Sequence, residues 1–298
     1  MSATGKSKAE RSASTARRVV RQLLRQPSAV AGLAIVAVLV AVATFAPLIA
    51  PYEPAGAQWA SSITPTHVPG PSPGHPLGLD SFGSDMLTQL VYGARQTLVI
   101  GLVATAIGVC VGVLLGLAAG GLGGWVDAAI MRLVDIMLSI PALLLAVSIA
   151  AVMGRSPVAI MTAIGVGQVP VFARLLRGSL LGERKREYVL AARSLGLSRP
   201  AIVTSQMLPN AVGPLIVQAT LVLATATIEV AALSFLGLGQ ADPTVAEWGR
   251  MLVKAQSRLD GAPLLAFAPG LCIAITAFGF TLLGEALREL LDPKSRPR

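Results

Sequence analysis

Side chains able to do chemistry are sparse here, and their placement says more than their number. Of 298 residues, 13% are charged and 54% hydrophobic. One carboxylate, Glu229, lies well inside an apolar run, LIVQATLVLATATIEVAALSFLG. A carboxylate in such a setting is a functional-site candidate, or else a paired or protonated structural group. Its position toward the outer half of the run weighs packing or an outer gate above a proton relay. Gln168, Pro170 and Gln218 are the other candidates for a pathway or gate. A proline inside a membrane helix releases a carbonyl, which is tolerated only where neighbours or water satisfy it. Pro170 therefore marks either a pathway-lining kink or an ordinary packed one. No GxxxxGK[ST] loop occurs, and Gly5-Lys6-Ser7 copies only its tail. There is no pair of carboxylates, His/Cys cluster or nucleophile elbow, so the chain reads as a non-enzyme that holds no cofactor. His67 and His75 sit in a proline-rich stretch without a third ligand, and no metal site is assigned. Cys110 and Cys272 lie far apart in apolar runs and read as small buried hydrophobes.

The elements that must carry these residues are membrane helices. A soluble domain carries roughly 25% charged residues, about twice the share found here. Six apolar runs are long enough to cross a bilayer core, which takes about 20 helical residues. They lie near 29–50, 97–119, 136–154, 156–173, 211–237 and 262–284. Only Arg155 separates the third and fourth, which read as a tight hairpin. The first follows a basic stretch but is too long for a signal-peptide core, and reads as a retained anchor. The fold class expected is an all-α integral membrane protein with six transmembrane helices. The domain reading places a basic cytoplasmic tail and surface helix at 1–28, the first transmembrane helix at 29–50 and an outer loop at 51–94. A five-helix domain follows at 95–286, then a cytoplasmic tail at 287–298.

Orientation follows from Lys and Arg. With both ends inside, 19 of the 24 fall on inner segments and five on outer ones (Arg95, Arg155, Arg250, Lys254, Arg258). The net charge of +9 is then a topology signal and an attraction to anionic lipid rather than a nucleic-acid footprint. Residues 16–25, ARRVVRQLLR, have the spacing of a basic amphipathic helix on the inner surface. Gly108, Gly112, Gly116 and Gly120 recur every fourth residue, a small-residue ridge against which another helix can pack closely. Asp135 and Arg132 form an i, i+3 pair.

Between two strongly apolar segments lies a polar stretch, EYVLAARSLGLSRPAIVTSQMLPN, residues 187–210. It reads as two short helices with a break. Gly196 suits the left-handed turn that ends the first. Ser198 is placed to cap the second, Pro200 fits its first turn, and Pro209 is expected to stop it.

This knuckle resembles the cytoplasmic coupling loop of ABC-importer permeases. Ala191, Ala192, Gly196, Leu208 and Pro209 match the general pattern, with Leu190 where Glu is usual and Gln206 where Ile is usual. Glu187, Tyr188, Val189, Ala192, Arg193, Gly196, Leu208, Pro209 and Asn210 follow the peptide-transporter branch. The resemblance continues through HPLGLDSFGSDMLTQLVYGARQTL (with Ser84 for the usual Arg), WVDAAIMRLVDIMLSIP, Glu229 with its ALSFLGLG, Trp248-Gly249 and the last span. It implies the transmembrane domain of a type I ABC importer in a bacterial cell membrane, both termini cytoplasmic. It further implies a second homologous permease in a heterodimer, two ATP-binding subunits that hold ATP and Mg, and an external substrate-binding protein. The chain would form half of the translocation pathway and work by alternating access. Coupling to the ATPases is expected at Glu187, Ala191, Ala192, Arg193, Gly196, Leu208 and Pro209, and binding-protein contact at Asp85, Trp248 and Gly249. The implied solutes are di- and oligopeptides, with nickel chelates, glutathione and other small solutes as alternatives. A secondary transporter is the reading from another class; it would show intramembrane charge pairs or inverted repeats.

Overall fold

The structure, a computed structural model, describes residues 24–291 apart from 51, 55, 65–66 and 243–244. Residues 1–23, most of the basic tail and its amphipathic stretch, lie outside the described residues, as do 292–298. The described part is built from helices: α1 (Pro27–Thr44), the short α2 (Ala46–Ile49), α3 (Met86–Leu122), α4 (Gly124–Ser139), α5 (Ala142–Met153) and α6 (Pro157–Glu183). Then come α7 (Glu187–Ser194), α8 (Arg199–Ile202), α9 (Leu208–Leu233), α10 (Trp248–Ala255) and α11 (Leu264–Leu291). Five helical bodies are long and apolar enough to cross a membrane, and α4 with α5 makes a sixth span if the bent pair counts as one.

The third apolar run is not a straight helix. It straddles a 92° bend between α4 and α5 at Ile140–Pro141. Pro141 lacks the N–H that would continue α4, so α5 restarts from it. The second span is longer than its apolar run. Asp85 caps α3 by accepting from the Thr88 N–H at 2.8 Å, and the helix starts eleven residues, about 16 Å, before residue 97. At the other end Gly123 and Gly124, at φ 70° and 61°, turn the chain into α4 through conformations that favour glycine.

The glycine ridge packs α3 against α6. A Cβ on Gly112 would stand 2.5 Å from the Phe172 Cβ and 2.8 Å from the Val169 carbonyl. One on Gly108 would meet the Gln168 Cβ at 2.9 Å, and one on Gly116 the Ala173 carbonyl at 2.7 Å. The outer helix α1 seats the same way on α11, where a Cβ on Gly32 would lie 2.8 Å from the Leu283 nitrogen. Buried apolar side chains then stack by depth. Met86, Leu90, Trp248, Met251 and Leu265 fill the end that the charge pattern assigns to the outside, named the outer end. Ile100, Ile160, Ile164, Val230 and Leu233 fill the middle. Phe172, Leu176, Leu180, Val189, Ile202 and Met207 fill the inner end.

Two ion pairs join α4 to α6. Asp135 pairs with Arg174 of α6, not with Arg132 as the local spacing suggests. Arg177 grips Asp127 with two nitrogens, its Nη2 to Oδ2 at 2.8 Å. Val134 is the one buried side chain of α4, so these two ion pairs are the main tie between α4 and α6.

Candidate functional site: a knuckle, a polar stripe and an outer cap

The knuckle closes as the sequence indicates at its turn. Gly196 takes φ 79°. Its N–H donates to the Arg193 carbonyl at 2.9 Å, and the Leu197 N–H reaches the Ala192 carbonyl at 3.2 Å. That is the paired bonding by which a glycine satisfies a helix's last carbonyls. Two expectations change. The Ser198 side chain makes no capping bond. Pro209 does not stop the second helix: a π-turn over Val203–Met207 carries α8 into α9, and Pro209 sits in the first turn of α9. A π-turn is one way a helix absorbs a missing proline N–H. Arg199–Leu238 therefore forms one body of 40 residues.

Burial separates the knuckle residues into two groups. Val189 and Ala192 face inward on Leu180, Ile202 and Met207. Leu190, Leu195 and Leu197 are 53%, 80% and 39% exposed, beside exposed Glu187, Ala191, Arg193, Gly196 and Pro209. Three leucines presented to water beside arginines make an apolar patch of the kind that marks a docking surface. A second feature was missed in the sequence. The Tyr188 hydroxyl donates to Glu183 at the end of α6 and accepts from Asn210 Nδ2 at 3.2 Å, while Asn210 also donates to the Gln206 carbonyl at 2.8 Å. One phenol thus ties α7 to both neighbouring spans. Burial, and then the bond to Glu183, raise its pKa above the ordinary tyrosine value.

Two of the four pathway candidates meet. Gln168 on α6 points its amide at both Glu229 oxygens on α9, at 3.4 and 3.5 Å. Gln218 does not touch them, but it lies on the same face of α9. The spacing Gln218, Thr225, Glu229 is i, i+7, i+11, which returns to one stripe at 3.6 residues per turn. All three are partly or fully exposed on this chain, so α9 carries a polar stripe through apolar surroundings. Thr225 was not singled out in the sequence, because one threonine among three carries no signal until the face is known. Pro170 is buried within α6 just beyond Gln168 and leaves the Val166 carbonyl without its helical donor.

The three residues expected at a binding-protein contact are instead interior. Asp85, Trp248 and Gly249 are buried. Asp85 caps α3 and accepts from or pairs with His75 Nδ1 at 2.9 Å. The Trp248 indole N–H donates to the Leu90 carbonyl at 2.9 Å, and a Cβ on Gly249 would meet the Ala231 carbonyl at 2.5 Å. These residues build a cap that fastens the first outer loop and α10 onto the bundle. Asp80 completes it, accepting from Gln89 Nε2 at 2.7 Å and Lys254 Nζ at 3.1 Å. His75 packs edge-to-face against Trp59, ring centroids 4.3 Å apart, while His67 is exposed, so the two histidines serve different places.

Glu247 is the cap's costly member. It is 1% exposed, accepts from the Ser234 hydroxyl, and leaves Oε2 without a hydrogen-bond partner among the described residues. Burial pushes its carboxyl above the ordinary value of 4.5. A raised carboxyl binds its proton more tightly folded than unfolded. Its charged form therefore weakens the fold as pH rises from about 4.5 to its own higher value. The purified protein's Tm in detergent should fall across that window, and Glu247→Gln should flatten the fall. An unchanged slope in the variant would assign the dependence elsewhere.

Helices long and apolar enough to cross a membrane, with an exposed polar knuckle between two of them, fit a membrane transport component. The chain belongs to the family described as binding-protein-dependent transport system inner membrane component, which matches residues 112–297. Residues 14–65 match the N-terminal TM domain of oligopeptide transport permease C. Among curated relatives, the dipeptide transport system permease protein DppC of Alkalihalophilus pseudofirmus is 39% identical over 94% of this chain and 90% of its own. The di/tripeptide transport system permease protein DppC of Pseudomonas aeruginosa is 40% identical over 89% and 88%. The glutathione transport system permease protein GsiD of Pectobacterium atrosepticum is 38% identical over 92% and 89%. In fold, the chain is similar to the inward-facing MetNI methionine ABC transporter, with a TM-score of 0.57 and 22% identity over 69% of this chain and 97% of that one. The fold class is thus the type I ABC-importer transmembrane domain.

Proposed function

We propose that this chain is the permease subunit of an ATP-driven importer of di- and oligopeptides. It forms one half of the pathway beside a second permease, two ATP-binding subunits turn over beneath it, and an external binding protein delivers the solute. Both termini and the knuckle face the cytoplasm. The observation that carries the reading is the knuckle: an exposed leucine patch on a glycine-closed turn, clamped by Tyr188 to two spans. Such a lever passes motion from a docked partner into α6 and α9. The peptide solute is supported by the names of the relatives at 39–40% identity. Glutathione is the second reading, supported by the GsiD relatives.

The test is uptake of labelled Ala-Ala by a strain lacking this chain, with and without its restoration. Uptake should return with the chain and cease when ATP is depleted. Uptake that persists on a proton gradient without ATP would favour a secondary transporter. Orientation is checked by thiol labelling of intact cells, with Cys110 and Cys272 replaced by alanine. A cysteine at Ser72 should react from outside and one at Lys185 should not; the reverse pattern would overturn the topology.

A further inference from the structure

Three irregular features meet at one depth of the bundle. Glu229 precedes Leu238 at the outer end of its span by nine residues, about 13 Å of helix. Gln168 follows Pro157 at the outer end of α6 by eleven residues, about 16 Å. The break between α4 and α5 stands beside them, since a Cβ on Gly167 would lie 3.9 Å from the Ala142 carbonyl. Ser139, Ile140, Pro141 and Ala142 around this break are exposed on the chain. Broken backbone at membrane depth is tolerated only against protein or a water-filled cavity, never against lipid. The face that carries the break and Glu229 is therefore turned away from lipid.

On that face Glu229 is under-satisfied. Its side-chain donor among the described residues is the Gln168 amide, at distances too long for a strong bond. Among the described residues it forms no ion pair. A carboxylate held in a low-dielectric setting with one weak neutral donor gains most from a cation that can come and go. Gln168 is 7% exposed and seated against Gly108 of α3, so it fixes the carboxylate without neutralising it. A carboxylate met by one weak neutral donor group suits an ammonium group, which has three donors and no acceptor.

We infer that Glu229, positioned by Gln168, is a transient binding site for the primary ammonium group of the transported solute, as at a peptide's N-terminus. The inference rests on the peptide-importer reading and deepens it. Such a site reads the one cation that peptides of any sequence share, so it aids passage without selecting among side chains. Being weak and single, it releases what it binds, as a conduit requires.

The experiment measures Ala-Ala uptake by the complete importer in cells, because the only cation of Ala-Ala is its N-terminal ammonium. Binding-protein-stimulated ATP hydrolysis is measured in membranes from the same cells. Glu229→Gln should lower uptake about tenfold at unchanged permease abundance while stimulated hydrolysis continues, so more ATP is spent per peptide. Glu229→Asp, which keeps the charge, should retain at least about half of the uptake. Gln168→Leu should raise the apparent KM more than it lowers the maximal rate. Uptake by Glu229→Gln equal to the parent's would overturn the inference, as would an equal deficit in Glu229→Asp. A fall in permease abundance with unchanged uptake per molecule would assign Glu229 to packing and also overturn it. If the parent chain itself fails to import Ala-Ala, the peptide-importer reading falls, and this site falls with it.

Discussion

Replacing Gly112 by leucine will leave almost no folded protein in the membrane, whereas Gly101→Ala will accumulate normally. Both glycines lie on α3, so helix propensity is the same in the two cases. What differs is the neighbour. At Gly112 even a Cβ would stand 2.5 Å from the Phe172 Cβ and 2.8 Å from the Val169 carbonyl, inside contact distance of both. Phe172 is fully buried among Leu176, Leu180 and Ile202 and has nowhere to move. The Val169 carbonyl is backbone, so α6 itself would have to shift. A Cβ on Gly101 meets nothing within 4 Å. Overpacking a tight interface by small groups costs about 1–3 kcal/mol, and a leucine adds four carbons where one does not fit. A cost of that kind for each of the four carbons is comparable to a net stability of roughly 5–15 kcal/mol, enough to unfold the bundle. Membrane-fraction immunoblots and Tm in detergent provide the readout. Normal accumulation of Gly112→Leu would mean that the α3–α6 contact is looser than its geometry states.

That interface was legible in the sequence because four glycines at one spacing point to one helix face and one close partner. The turn at Gly196 was legible for a similar reason: a glycine just past a run of helix formers has one common use. Other features depend on partners far along the chain, and local reading misplaced them. Arg132 is the cation three residues from Asp135, but Arg174 on α6 reaches it. Asp85, Trp248 and Gly249 are polar, aromatic and small residues on outer segments, which suggests a surface. The fold turns them inward, because an outer loop on a bundle needs its own caps and anchors. The run at 136–154 is uniformly apolar, and hydropathy is blind to the direction of a helix axis. Only Pro141 signalled the bend, and a proline can equally open a helix, kink one or sit in a turn. Pro209 was read as a stop for the same reason, before the π-turn that accommodates it was known. The meeting of Gln168 with Glu229 spans 61 positions, and no periodicity reports such a pairing.

The knuckle gives the second large effect, and burial decides how the experiment must be built. Leu195→Asp should abolish uptake while leaving the protein fully assembled in the membrane. Leu195 is 80% exposed at the helix end, so a carboxylate there remains in water and costs the fold little. It would, however, place a charge among exposed Leu190 and Leu197, the surface proposed to dock an ATPase, where a docked partner would exclude water. An unpaired charge buried in such a contact costs several kcal/mol, enough to detach a partner held by a modest surface. Ala192→Glu should also abolish uptake, but by another route. Ala192 is 9% exposed and faces Val189 and Ile202, so a glutamate there cannot stay in water without unpacking α7 from the inner core. Its deficit should come with loss of the knuckle's protease resistance and a lower Tm. The two variants thus separate docking from folding at one structure. Co-purification of the ATP-binding subunits should fail for Leu195→Asp at unchanged Tm. If Leu195→Asp still copurifies with those subunits and still imports Ala-Ala, the exposed leucines are not the docking surface, and the coupling role assigned to the knuckle is wrong.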